Sequence, residues 1–377
     1  MSLWIENNAD FAGLCREAAE HSSIALDTEF IWSSTFYPRL ALIQLSWGRE
    51  HCALIDPLAV SDPTPLTALL ENRKVRKVLH EAPSDLPILR RWCGAALPTA
   101  VFDTRLAAAF CGLGLGCSLN KLLTELLQVT LDKSETRSDW LQRPLSDRQL
   151  QYAAEDVILL PELACLLETR IKDLGNLDWF NEEMQIFSKP DFYQQDEPEN
   201  CWRRISGGGN FDPRRLAVLR ELAAWRERTA RDLDKPRPRI LKDEQVLAIV
   251  NLQPDKTADL RKIPEFWPKN IQKYGEQILE AVQRGRNVPL GDCPASPEMN
   301  MSLQVFRKRV ERVQALVKKR CETRGIDPAL AAPRREISSI ILAAENRTAN
   351  QHPLMHGWRT DLLGDTFQNL IKNNFPE

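Results

Sequence analysis

The chain has 377 residues, of which 43% are hydrophobic and 27% charged, with a mean hydropathy of −0.36. This length predicts roughly two or three domains, and the composition is that of a globular protein. No run of about 18 apolar residues occurs, and the start MSLWIENNADFAG lacks a basic segment followed by an apolar one. We therefore expect a cytoplasmic protein with no membrane partner. Nine cysteines without a CxxC pair favour reduced thiols over disulfides or a zinc site.

The net charge of −2 conceals an asymmetry between the two halves of the chain. Residues 1–195 contain 18 Lys and Arg against 27 Asp and Glu, whereas residues 196–377 contain 32 against 25. An acidic half that could hold metal ions and a basic half that could hold polyanions favour nucleic acid as the partner. The alternative is that both halves are simply solvated surfaces.

The first hundred residues alternate between short apolar runs and one helical stretch. Three runs with turn-length gaps predict an antiparallel meander, and two further runs on either side of a helix predict parallel strands. The sequence therefore predicts an α/β fold with a mixed five-stranded sheet. The five runs are Ser23–Phe30, Leu40–Trp47, Cys52–Ile55, Lys74–Leu79 and Ala100–Phe102, and the helix is Asp85–Trp92.

After Thr104 the chain becomes helical. Ser146 and Gln149 have the spacing of a capping box, so we expect a helix to begin at Asp147, and Pro161 should end it. The predicted helices are Arg105–Phe110, Leu119–Gln128, Asp147–Leu160 and Pro161–Asp173.

Two breaks rich in Pro, Gly and acidic residues divide the rest of the chain. Residues 196–210 are predicted to be a linker, and NVPLGDCPASPEMN marks a second break. Helical periodicity on either side of the second break predicts two small all-α domains. The expected domains are 1–195, 211–290 and 298–377.

Five residues carry most of the chemical information. Asp27 and Glu29 are two apart on a predicted strand, so their side chains leave the same face. Tyr152 and Asp156 are four apart on a predicted helix and also share a face. Asp85 begins a helix just after a strand, where side chains converge on a cleft. An unpaired charge in these apolar settings is costly, so a positive partner is expected, either Arg and Lys side chains or divalent cations.

The ligand types favour hard cations. Four carboxylates without His or Cys at ligand spacing suit Mg²⁺ or Mn²⁺ better than zinc. Two such ions about 3.5–4 Å apart can activate a water and stabilise the leaving oxygen of a phosphodiester. Tyr152, whose unperturbed pKa is near 10, is expected to orient that water rather than to take its proton.

These segments resemble a known family. DTEF, HEAPSD and YAAED resemble the three motifs of the DEDD exonuclease superfamily, and the Tyr-x3-Asp spacing resembles its tyrosine subclass. DTEFIWSSTFYPRLALIQLS and LDKSETRSDWLQRPLSDRQLQYAAEDV resemble the ribonuclease D family, and the helical units resemble its paired HRDC domains. The resemblance implies a ribonuclease H-like nuclease domain, 3′-to-5′ hydrolysis that releases 5′-mononucleotides, and trimming of tRNA precursor 3′ ends. It also implies metal ligation by Asp27, Glu29, Asp85 and Asp156.

Two departures and two alternative functions stay open. Many relatives carry Arg where this chain has Trp32, and Tyr where it has Phe36. A DNA-directed 3′-5′ exonuclease and an inactive RNA-binding scaffold on the same fold are the alternatives to an exoribonuclease. The absence of polymerase or helicase motifs disfavours the first, and the presence of all five site residues disfavours the second. Oligomeric state is not predicted.

Five further residues are candidates for contact with RNA. Lys133 and Arg137 offer phosphate contacts, with a solvated loop as the alternative. Phe30 and Trp32 could stack on a base, although aromatic residues beside a strand are more often core. His80 could contact the substrate, but a hydrogen-bonded core histidine is the favoured interpretation.

Two other patterns, a glycine-rich segment and a basic cluster, concern binding of phosphates. Gly112, Gly114 and Gly116 lack the preceding strand and the following Lys-Ser/Thr of a phosphate loop, so no nucleotide cofactor is expected. The basic cluster of the first helical unit is the favoured nucleic-acid surface of the C-terminal half, with a charged helix face as the alternative. It comprises Arg226, Arg228, Arg231, Lys235, Arg237 and Arg239.

Overall fold

The computed structural model describes residues 2–131, 135, 138–208, 211–294, 301–373 and 375. Packing divides the chain into two compact units, one of residues 1–30, 40–193 and 299–377, the other of residues 31–39 and 194–298. Within the described ranges, no helix is long and apolar enough to cross a membrane. The domain boundaries expected from the sequence stay a prediction.

A mixed sheet forms the centre of the first unit. Its order is β1-β4-β3-β2-β5-β6, in which β3 and β4 are antiparallel and the pairs β1–β4, β2–β5 and β5–β6 are parallel. The mixed α/β class is confirmed, but the described residues form six strands rather than the expected five. The additional strand is β1, whose three residues are too few to produce a periodic pattern. The strands are β1 (Leu3–Ile5), β2 (Ser23–Ile31), β3 (Arg39–Gly48), β4 (His51–Ile55), β5 (Arg76–Leu79) and β6 (Val101–Asp103).

Helices pack around this sheet. The predicted capping box is present: Gln149 N–H donates to Ser146 Oγ at 3.3 Å, and Ser146 N–H donates to Gln149 Oε1 at 3.0 Å. Pro161 lies in the first turn of the next helix, as expected. The helices are α1 (Asn8–Ala18), α2 (Thr64–Glu71), α3 (Ala82–Trp92), α4 (Thr104–Phe110), α5 (Leu119–Leu127), α6 (Asp147–Ile158), α7 (Leu160–Asp173) and α8 (Leu177–Met184), followed by 3₁₀ helices Gln185–Ser188 and Pro190–Tyr193.

The C-terminal helices share the hydrophobic core of the sheet unit. The Trp358 ring lies 5.0 Å from the Phe110 ring and 6.2 Å from the Trp179 ring. Arg359 pairs with Glu183 at 2.8 Å. These elements are α13 (Leu303–Arg324), α14 (Pro328–Ala331), α15 (Arg334–Glu345) and α16 (Gly357–Lys372), with 3₁₀ helices Ala349–Gln351 and Pro353–Met355.

The second unit is helical around its own core. Residues 196–210 were expected to be a linker, but Pro198–Arg204 forms a 3₁₀ helix in which Cys201 is buried. Two long helices cross closely at Gly285, where a Cβ would meet Val218 Cα at 2.4 Å, so this position has no room for a side chain. The helices are α9 (Pro213–Asp232), α10 (Arg237–Ile240), α11 (Asp243–Leu252) and α12 (Pro268–Asn287), with 3₁₀ helices Thr257–Lys262 and Leu290–Asp292.

Candidate active site

Strand β2 presents two carboxylates at the end of a buried apolar segment. Its residues Ile24, Ala25 and Leu26 are fully buried, whereas Asp27 and Glu29 are only half-buried. Alternation along the strand places the side chains of Asp27 and Glu29 on one face. Burial of the apolar segment fixes the register of the strand and thereby the position of both acids.

Helix α6 brings a third carboxylate to this pair. One oxygen each from Asp27, Glu29 and Asp156 lies within 4.8 Å of the other two. Tyr152, one turn earlier, hydrogen-bonds the Asp156 side chain, as its four-residue spacing allows. The Tyr152 ring also packs 6.0 Å from that of Trp140, which is 2% exposed. The structure thus brings together four of the five residues expected from the sequence.

Asp85 is close to this cluster but is held differently. It lies in the first turn of α3, and its Oδ1 accepts a 2.5 Å hydrogen bond from Thr28 Oγ1. Thr28 lies between the two acids in the sequence, so its side chain leaves the opposite face of β2. Asp85 also accepts a hydrogen bond from the backbone N–H of Thr28, and its charge raises the pKa of Asp27, so it lies beside the two acids of β2.

Burial raises the pKa of all four carboxylates, and the charges of neighbouring site carboxylates raise it further for Asp27 and Glu29. Burial, followed by the charges of Asp85, Asp156 and Glu29, raises the pKa of Asp27 well above its usual range. Burial and the two aspartates raise the pKa of Glu29 to about 8. Burial raises the pKa of Asp85 and of Asp156 to about 7, against the lowering effect of hydrogen bonds from Thr28 and Tyr152, respectively. The cluster therefore concentrates negative charge, which a bound cation would neutralise.

This donor set fits a hard divalent cation. All the candidate ligand atoms are carboxylate oxygens, which Mg²⁺ and Mn²⁺ prefer. Among the ion pairs of the described residues, none includes any of the four carboxylates. Of the two partners expected from the sequence, divalent cations therefore fit this donor set, whereas no described Arg or Lys side chain pairs with it.

A cavity of about 480 Å³ adjoins Tyr152 and Asp156. His80 lies on its wall, and the ring Nδ1 is 2.9 Å from Thr104 Oγ1, which itself donates to the carbonyl of Leu79 at 3.1 Å. Because the Thr104 proton is used there, His80 Nδ1 is the donor to Thr104. Burial, aided by Arg105, lowers the pKa of His80 to about 4. The expected hydrogen-bonded histidine is present, and it also faces the cavity in its neutral form.

Comparison with known proteins identifies the family. The 3′-5′ exonuclease family matches residues 3–172, and the HRDC domain family matches residues 215–282. A ribonuclease D of Desulfotalea psychrophila is 34% identical over 364 residues, which cover 97% of both chains. The chain belongs to the ribonuclease D family. The Escherichia coli ribonuclease D is 34% identical over 374 residues, again 97% of both chains.

A solved structure of the same family extends this likeness to the whole fold. The crystal structure of Escherichia coli ribonuclease D superposes on this chain with a TM-score of 0.90. The match covers the full length of both chains at 32% identity. That protein is described as an exoribonuclease involved in structured RNA processing. The chain is therefore a 3′-to-5′ exoribonuclease with an exonuclease fold followed by helical HRDC-type elements. Membership also implies dependence on divalent metal ions.

The remaining candidate RNA contacts differ in their exposure. Phe30 is half-buried on β2. Trp32 is 70% exposed, so the expectation that it belongs to the core is wrong. Together with Phe36 and Arg237, it lines a cavity of about 640 Å³ within the second unit. Lys133 and Arg137 lie outside the described residues.

Four arginines of the basic cluster form ion pairs inside the second unit. Arg226 is 5% exposed and pairs with Asp243, whereas Arg231 and Arg237 both pair with Glu227, which is 1% exposed. Arg228 pairs with Glu199, while Lys235 and Arg239 are exposed. Most of these cations therefore stabilise the unit rather than forming a free surface for nucleic acid.

Sequence reasoning missed Asp103 as a supporting residue. This buried carboxylate accepts from the N–H groups of Ala82, Arg105 and Leu106, at 2.7, 2.8 and 3.0 Å. It thereby fixes the first turns of both α3, which carries Asp85, and α4. The signal was available, because an Asp directly before an apolar helix has the position of an N-cap.

Proposed function

We propose that this exoribonuclease uses two divalent cations, Mg²⁺ or Mn²⁺, held by Asp27, Glu29, Asp85 and Asp156, and releases 5′-mononucleotides. The observation that carries the proposal is the group of carboxylate oxygens within 4.8 Å of one another in a chain of the 3′-5′ exonuclease family. Two such cations supply activation of the attacking water and stabilisation of the leaving 3′ oxygen.

The protein residues have separate tasks in this proposal. Asp27, Glu29 and Asp156 hold the cations directly, and Asp85, whose carboxylate is shared with Thr28, completes the set. Tyr152 directs its hydroxyl at the attacking water, and its contacts with Asp156 and Trp140 keep the ring oriented. Because its unperturbed pKa is near 10, the phenol acts as a hydrogen-bonding group and not as the base.

We further propose tRNA precursors with 3′ extensions as the substrates. The Escherichia coli relative is described as an exoribonuclease in structured RNA processing, which supports a substrate with a folded body and a single-stranded tail. The HRDC match and the excess of basic residues in the C-terminal half support binding of that body by the helical elements. Phe30, Trp32 and His80 are proposed contacts for the tail. Nine free cysteines support the cytoplasm as the compartment.

One experiment tests polarity, metal dependence and substrate together. A tRNA with a labelled 3′ extension is incubated with the protein and Mg²⁺, with and without EDTA, and the products are resolved over time. We expect stepwise shortening from the 3′ end, release of 5′-mononucleotides, arrest near the folded body, and no reaction in EDTA. A matched DNA substrate serves as the control. Undiminished shortening in EDTA would contradict the metal mechanism, and failure to release mononucleotide would favour the inactive scaffold.

A further inference from the structure

The cavity beside Tyr152 and Asp156 contains one feature that the proposed mechanism does not use. Among its described lining residues, Arg105 is the one Lys or Arg side chain, and it faces a wall that also carries the acids Glu81 and Asp156. The histidine on that wall is neutral, because its pKa is lowered to about 4. Among the described residues of its wall, Arg105 is therefore the positive charge available to a polyanion.

The guanidinium of Arg105 is held in a defined position. Its Nε donates to the carbonyl oxygen of Leu115 at 2.7 Å, in the glycine-rich loop that follows α4. Leu115 is itself fixed, because its N–H donates to Asp327 Oδ2 at 2.5 Å. The glycine-rich loop that lacks the sequence of a phosphate loop thus serves as a support for an arginine. A guanidinium fixed through Nε still presents its two terminal nitrogens to a ligand.

One of those terminal nitrogens is paired with Glu81, which an anionic ligand could displace. Arg105 Nη1 forms an ion pair with Glu81, and the two side chains are 31% and 48% exposed. Ion pairs as exposed as this contribute little to stability. Glu81 lies at the start of α3 with a φ of 73°, a conformation that is uncommon for residues other than glycine. The carboxylate therefore stands where an anionic ligand of Arg105 would bind.

We propose that Arg105 binds a backbone phosphate of the RNA strand whose 3′ end lies at the carboxylate cluster, and that Glu81 occupies this position when RNA is absent. The inference rests on the proposed hydrolytic role of that cluster. A strand entering the cavity must bring phosphates beside several carboxylates, and a guanidinium can offset the repulsion through charge-assisted hydrogen bonds. Arg105 is a positioning residue in this scheme, because it contacts the backbone and not the scissile bond.

The first test compares Arg105→Ala with Arg105→Lys at saturating Mg²⁺ on a 3′-extended RNA. For Arg105→Ala we expect KM to rise by about tenfold, with kcat changed by less than about twofold. The slope of log KM against log salt should fall by about 1, because one phosphate contact is lost. Arg105→Lys retains the charge and should keep the salt slope. A purely structural role for Arg105 would leave that slope unchanged.

The second test uses Glu81→Gln, for which the proposal predicts the opposite effect. Removing the competing carboxylate should lower KM by about two- to threefold, since an exposed pair is worth less than about 1 kcal/mol. If the Arg105–Glu81 pair only stabilised the fold, Arg105→Ala and Glu81→Gln would change KM in the same direction or leave it unchanged. The matched control is Arg49→Ala, which breaks a 2.8 Å surface pair with Glu162 in which the arginine is more exposed than Arg105, and which should leave KM and the salt slope unaltered.

Binding measurements separate this inference from the proposed function. In an Asp156→Asn background, RNA affinity is measured by fluorescence anisotropy without turnover, with and without the Arg105 and Glu81 substitutions. Weaker binding with Arg105→Ala and tighter binding with Glu81→Gln support the phosphate contact even if hydrolysis fails. Unchanged affinity and salt slope in Arg105→Ala, in an otherwise active and folded enzyme, overturn it. Should Arg105→Ala unfold, Arg105→Lys and Glu81→Gln still decide the outcome.

Discussion

Thr28, between Asp27 and Glu29 on β2, donates a 2.5 Å hydrogen bond through its Oγ1 to Asp85 Oδ1. Asp85 is 4% exposed, and burial already raises the pKa of its carboxyl group to about 7, with the Thr28 bond opposing the rise. The threonine between the two motif acids therefore keeps the third acid ionisable.

The first prediction concerns that hydroxyl group. Thr28→Val preserves shape but removes the donor, so unfolding at pH 8 should become easier by about 1–3 kcal/mol, and the pKa of Asp85 should rise further. Thr28→Ser retains the hydroxyl and should retain most of both properties. Urea unfolding at pH 8 measures the free energy, and urea unfolding repeated at several pH values reports the pKa of Asp85. Equal behaviour of the Val and Ser variants would show that the hydrogen bond is unimportant.

The second prediction concerns the metal ligands. Asp27→Ala and Asp156→Asn should lower nucleotide release by at least about a hundredfold, because charge stabilisation in the transition state is lost. Circular dichroism should remain native. Asp156→Asn should also raise the melting temperature in EDTA, since it removes a charge that burial and the neighbouring Glu155 disfavour. Full activity in either variant would contradict the mechanism.

The third prediction concerns Tyr152. Tyr152→Phe keeps the packing on Trp140 but removes the hydrogen bond to Asp156, so kcat should fall by about a hundredfold or more while Mg²⁺-induced heat stabilisation persists. The loss of that bond also raises the pKa of Asp156, which should move the activity profile to higher pH. A kcat within about twofold of the original enzyme would remove Tyr152 from the mechanism.

The fourth prediction is the pH dependence of stability without metal. The pKa of Glu29 is raised to about 8 and that of Asp156 to about 7, so these groups bind protons more tightly in the folded than in the unfolded state. Their contribution is fully present below pH about 4 and is lost as pH rises through 7 and 8. In EDTA the melting temperature should therefore fall between pH 5 and 8.5. Mg²⁺ should reverse most of the loss, and Glu29→Gln should flatten the slope.

The fifth prediction concerns the buried Glu227, which pairs with Arg231 at 2.9 Å and with Arg237. Burial alone would raise the pKa of Glu227, but hydrogen bonds from these arginines lower it. Glu227→Ala leaves two cations without their partner and should destabilise the second unit by about 3–5 kcal/mol. Glu199→Ala breaks only the exposed pair with Arg228 and should cost less than about 1 kcal/mol. Denaturant unfolding compares the two.

The sequence predicted those parts of the fold that have local signals. The strand alternation of β2, the capping box of α6 and the break at Pro161 each depend on neighbouring residues, and all were confirmed. Strand β1 was missed because three residues form no period, and its pairing with β4 is a contact across about fifty positions. The exposure of Trp32 was also unpredictable, since the same motif fits a core aromatic.

The site shows the same distinction. Pairs of residues at strand or helix spacing, such as Asp27 with Glu29 and Tyr152 with Asp156, could be placed on common faces from the sequence. The attachment of Asp85 to Thr28 could not, because it depends on how α3 meets β2 in three dimensions. Lys133 and Arg137 stay predictions.

The shared core of the sheet and the last four helices has a practical consequence for dissecting the enzyme. A fragment ending near residue 195 would lose the partner of Glu183 and expose the faces of Phe110 and Trp179 that now pack on Trp358. Such a fragment should aggregate or unfold rather than behave as an isolated catalytic domain. The packing instead groups residues 194–298 with residues 31–39, so a deletion that follows it must remove both segments.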